Sequence, residues 1–93
     1  MPVYTQYEGI RYDDPGLQAE FQRLIEEIAA AERERAPIQQ RHRQAEDGRD
    51  AGDISDSQFR AIDAQFISAN NKIAAAKRKV DEFLARYKNY RVD

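Results

Sequence analysis

Apolar residues recur along this chain at steps of three and four, and they do so in two separate runs. The first is Leu17, Phe21, Leu24, Ile28, Ala31, Arg35, Ile38, His42, Ala45, polar only at Arg35 and His42. The second is Phe59, Ile62, Phe66, Ala69, Ile73, Ala76, Val80, Phe83, Tyr87, Tyr90. A three-four alternation keeps one stripe of a helix on one side, the pattern of a helix that faces another helix. The two runs therefore predict an all-α fold, a long antiparallel helical hairpin of coiled-coil character.

Start and stop signals frame both runs. Asp13-Asp14-Pro15 opens the first helix, because an Asp side chain accepts from free N–H groups and proline suits the first helical position. The helix is expected over residues 15–46, kinked near Pro37, which has no N–H to donate and crowds the carbonyl of Arg33. Residues 47–54 hold two glycines and three aspartates and predict the turn. Ser55 with Gln58 makes a capping box, and Ile54 with Phe59 a hydrophobic staple, so the second helix is expected over 55–88. Folding about residue 50 or 51 sets His42 opposite Phe59, Arg35 near Phe66 and Asp63, Ala31 opposite Ala69, and Phe21 opposite Val80.

Residues 1–14 form an extended N-terminal arm with Val3, Tyr4, Tyr7, Ile10 and Tyr12, bent at Gly9. Tyr87 and Tyr90 overshoot the start of the first helix, so the arm's rings are their natural neighbours. A two-helix hairpin covers one stripe per helix and leaves Ile25, Ile67, Ala74 and Leu84 beside it. Small scaffolds of this kind need a further staple, and without cysteine or metal the expected one is assembly with itself, as a homodimer or higher helical bundle, or with another protein.

Composition narrows function by exclusion. Fifteen basic and seventeen acidic side chains give a net charge of −2, which draws the chain neither to nucleic acid nor to anionic membranes as a whole. The absence of cysteine excludes disulfides and thiolate chemistry. No apolar run reaches the roughly 20 residues that span a bilayer, and no signal peptide opens the chain, so a cytoplasmic protein is the default expectation. His42, the one histidine, lies on a seam beside a turn, and the serines have capping roles or no histidine in reach, so no catalytic residue is assigned. Asp47 to Gln58 has the length of a calcium-binding loop. Arg49 and Ala51 occupy two ligand positions, however, and Gln58 stands where the bidentate glutamate belongs, so neither metal nor cofactor is expected.

Two functional readings remain. The first is a non-enzymatic protein that presents helical surface for self-assembly or binding, such as a small phage or mobile-element accessory, virion component or inhibitor. The second is a binder of nucleotide or nucleic acid at the open end, where Tyr4, Tyr7, Arg11 and Tyr12 should meet Arg86, Tyr87, Lys88, Tyr90 and Arg91. Aromatic faces beside guanidinium and ammonium groups stack bases and hold phosphates. The plainer use of the same tyrosines is as packing core for the arm, and the basic residues then offset the negative end of the second helix.

Overall fold

In the computed structural model, which describes residues 7–92, two long helices pack against each other as an antiparallel hairpin. Helix α1 is Pro15–Asp50 and α2 is Asp56–Arg86, followed by a single 3-10 turn at Lys88–Tyr90. Among the described residues there is no strand, only one isolated antiparallel bridge between Tyr12 and Arg91.

The helix starts follow the local chemistry of the sequence. Asp14 Oδ1 accepts from the Leu17 N–H at 2.9 Å, and the Asp14 carbonyl accepts the Gln18 N–H. At α2 the capping box is complete: the Gln58 N–H donates to Ser55 Oγ at 3.1 Å, and the Ser55 N–H donates to Gln58 Oε1 at 2.9 Å. Each of these side-chain bonds satisfies an N–H that the helix itself leaves open.

α1 runs past its expected end at residue 46. Helix continues through Gly48 to Asp50, and the reversal is made by residues 51–55. Gly52 takes φ +79°, the left-handed conformation that costs glycine least. The Gly52 N–H returns to the Arg49 carbonyl and the Asp53 N–H to that of Gly48, the bond pair of a Schellman C-cap. Ile54 completes it by lying over Gly48, where an added methyl would meet Ile54 Cγ2 at 3.6 Å. α1 also remains one helix through Pro37.

The longer α1 moves the pairing of the helices by about one turn. Arg35 Nη1 donates to Asn70 Oδ1 at 2.9 Å rather than reaching the level of Phe66 and Asp63. His42 Nε2 lies 2.8 Å from Asp63, its ring between Phe59 (centroids 5.5 Å) and Phe66 (4.5 Å). Phe21 stacks on Phe83 at 6.2 Å, one turn past Val80. Moving the centre of a hairpin by two residues moves every partner by four, which is what the extra helical turn of α1 requires.

The chain packs as two compact units. One joins the segment ending at Ala30 with that beginning at Ala74. Its core is Tyr7, Tyr12, Phe21, Leu24, Ile28, Ala76, Val80 and Phe83, with Ile28 and Val80 fully enclosed. The other, Ala31–Ile73, buries Ala31, Ala45, Ala69 and Ile73, while the larger Ile38, Phe59, Ile62 and Phe66 are only half-buried. Burial of a large apolar side chain stabilises by about 1.5–3 kcal/mol, so the second unit, built around alanines, has the thinner core.

Candidate functional site

The aromatic and basic residues singled out at the open end divide into two groups. Tyr7 and Tyr12 are core, 6% and 4% exposed. Tyr12 meets Phe21 and Phe83 edge-on at 5.8 and 5.5 Å, the arrangement that places a positive ring edge on a negative ring face. The Tyr7 hydroxyl donates to Asp81 Oδ1 at 3.0 Å, which ties the arm to α2. The Tyr12 N–H donates to Gln18 Oε1 at 2.8 Å, and the Val92 N–H donates to the Arg11 carbonyl at 3.0 Å. The arm is thus held on one side by α2 and on the other by the last residues described. Gly9, at φ +86°, makes the bend expected of it.

The outer group is what solvent meets. Tyr87 is half-buried against Phe83 at 4.8 Å, and Tyr90 sits edge-on to Tyr87 at 6.1 Å with 60% of its surface exposed. Arg11, Arg86 and Lys88 are exposed and Arg91 is half-buried. Tyr4 lies outside the described residues. The face therefore offers one open ring with cations around it, because two of the expected stacking rings serve as interior. Arg86 and Tyr87 also edge a shallow hollow of about 330 Å³ with Glu20, Arg23, Glu27 and Lys79, whose charges alternate in sign. There Arg23 bonds to both Glu20 and Glu27. The hydrogen bond from Arg23 holds the Glu20 carboxyl below the usual glutamate range, and the same bond raises the Arg23 guanidinium.

In the unit Ala31–Ile73 the structure brings together residues that periodicity alone did not mark as a site. His42 stands between two carboxylates, Nδ1 at 2.9 Å from Glu46 and Nε2 at 2.8 Å from Asp63, and is stacked on Phe66. Arg49 caps the same cluster, with its guanidinium carbon 3.9 Å above the Phe59 ring. With one nitrogen facing each carboxylate, the ring joins α1 to α2. Among the described residues no group of three or more His, Cys, Asp or Glu side chains is placed to hold a metal ion. The twelve-residue stretch that resembled a calcium loop is not a loop, since Asp47–Asp50 is helix.

On α1 and α2 of that unit an open groove of about 470 Å³ runs between Ala31, Glu34 and Ile38 on one side and Ala64, Ser68 and Lys72 on the other. Its floor is apolar, and its rim carries the Glu34–Lys72 ion pair at 2.6 Å. The sequence signal for it is the row Ala61, Ala64, Ser68, a second stripe of small residues beside the seam. Elsewhere on the chain Ile67 is 51% exposed and Val92 42%. No helix among the described residues is long and apolar enough to cross a membrane. Compared with protein-family models, with curated proteins and with solved structures, the chain matches none.

Proposed function

We propose that this protein acts without catalysis, by presenting helical surface to a second protein chain, either another copy or a different partner. The observation that carries this reading is the uneven closure of the hairpin: Ile38, Phe59, Ile62 and Phe66 remain half-buried, and Ile67 is more than half exposed. A hairpin with this much apolar surface left over gains from being covered, and a groove between two helices accepts the ridge of another helix. An assembly component and a small inhibitor of a larger machine are both served by such a surface.

Light scattering coupled to size exclusion, with affinity capture from the native host, tests the reading. Association with itself or retention of a defined partner through residues 31–73 is the expected result. A chain that stays monomeric at high concentration and captures nothing overturns it.

The second reading, a binder of nucleotide or nucleic acid, draws its support from Tyr90, exposed beside Lys88. Calorimetric titration with nucleotides and short single-stranded oligonucleotides tests it. Binding that weakens with salt and disappears in Tyr90→Ala supports it, and no heat at low salt eliminates it.

A further inference from the structure

We infer that the groove between α1 and α2 in the unit Ala31–Ile73 is filled by a second copy of this chain, around a twofold axis level with Pro37 and Ile38. The inference rests on the proposed function and names the partner for it. An isologous contact requires one surface to be complementary to itself; this groove leaves room for a helix in shape and pairs with itself in charge. In shape, its α2 wall carries the small Ala64, Ser68 and Ala69 beside Gln65 and Lys72, with Ala61 continuing the row of small residues. Side chains this small let a second helix approach toward the short end of the usual 8–10 Å interaxial range. The half-buried Ile38 on the groove's floor is then covered, which the hairpin alone does not achieve.

In charge, Glu34 and Arg41 lie one heptad apart on the same stripe of α1, with Pro37 and Ile38 between them. A twofold axis at that midpoint places each Glu34 against the Arg41 of the other copy. Among the described residues Arg41 is exposed and makes no ion pair, whereas Glu34 already holds Lys72. The second copy would therefore supply the carboxylate that Arg41 lacks, and each Glu34 would be flanked by two cations. The ionised residues lining the groove, Glu34 and Lys72, cancel, so nothing here selects for a strongly charged partner. The product is a four-helix arrangement of two hairpins.

Charge reversal tests this. Arg41→Glu leaves two acidic residues facing two others across the axis, and Glu34→Arg leaves two basic ones facing two. Each variant alone should dissociate about tenfold more readily than the unmodified chain, since two rim pairs turn from attraction to repulsion. Mixed in equal amounts they should recover the lost affinity, because the two acidic side chains at positions 34 and 41 of the Arg41→Glu chain then meet the two basic ones of the Glu34→Arg chain. Sedimentation velocity over a concentration series at low salt reads the result, and circular dichroism confirms that each variant keeps its helices. Dimers unmoved by either substitution, or a mixture no tighter than its components, overturn the interface while leaving self-assembly through another surface. An unmodified chain that is monomeric throughout overturns the inference. Host-protein capture that persists in both variants would then keep the broader reading alive.

Discussion

Ile28 is completely enclosed while Ile67 is 51% exposed, and replacing each by alanine measures what the hairpin interior contributes. Ile28→Ala removes three carbons from a closed site. At about 0.8 kcal/mol for each buried methylene the transfer loss is roughly 2.4 kcal/mol. A residual cavity of about 40 Å³ adds about 1 kcal/mol at 24 cal/mol per Å³. Alanine is the better helix former by about 0.4 kcal/mol, which leaves a net loss near 3 kcal/mol. For 93 residues the unfolding entropy is about 0.2 kcal/mol/K, so the melting temperature should fall by about 15 °C. Ile67→Ala loses part of an exposed contact and gains the same propensity, so its expected change is within about 0.5 kcal/mol of zero. Urea unfolding followed by circular dichroism at 222 nm, at equal protein concentrations, gives both numbers. A loss below about 1 kcal/mol at Ile28, or an equal loss at the two sites, would refute the assignment of the core.

Further expectations follow from particular bonds. Pro37→Ala restores the N–H that α1 lacks opposite the Arg33 carbonyl, and because Pro37 is exposed it should stabilise the chain by about 1–3 kcal/mol in thermal melts. Ser55→Ala removes the oxygen that caps the Gln58 N–H and should cost about 1 kcal/mol, read from the shift in urea midpoint. Tyr7→Phe keeps the ring and deletes the bond to Asp81, for a loss of about 1 kcal/mol; a double-mutant cycle with Asp81→Ala isolates the bond from the packing. The Glu20 carboxyl is held below its ordinary range by its bond from Arg23. Its stabilisation is therefore present above the unfolded-state value and is lost as pH falls through the folded one. Glu20→Gln should flatten that part of the acid limb in stability measured against pH, and an unchanged limb would contradict the assignment.

What the chain spells out locally, it also forms locally. Asp14, Ser55 with Gln58, and Gly52 act through bonds that span no more than five residues, so their chemistry was readable without knowing what packs where. The three-four spacing likewise determined which stripe of each helix turns inward: every seam position of α1 and of α2 is at least half-buried, and only Tyr90, in the 3-10 turn after α2, is not. Register is a different kind of quantity. It depends on where α1 ends, and Gly48 permitted two endings. Two glycines in eight residues suggested an early turn, yet helix through Gly48 lets Gly52 close the C-cap and lets Ile54 cover the bare backbone.

The roles of the tyrosines were also settled by packing and not by residue type. Tyr7, Tyr12, Tyr87 and Tyr90 are chemically alike, but the first two fill the space beside Phe21, Val80 and Phe83, and Tyr90 stays in solvent. His42 could be recognised as a polar residue on an apolar seam, whereas its bridge from Glu46 to Asp63 exists only once the partner helix is placed one turn along. Sequence by itself determined two capped amphipathic helices and the faces they bury, because periodicity and caps are short-range. Tertiary structure decided their register, which rings are core, and which apolar groove is left open, because those depend on residues far apart in the chain competing for the same space.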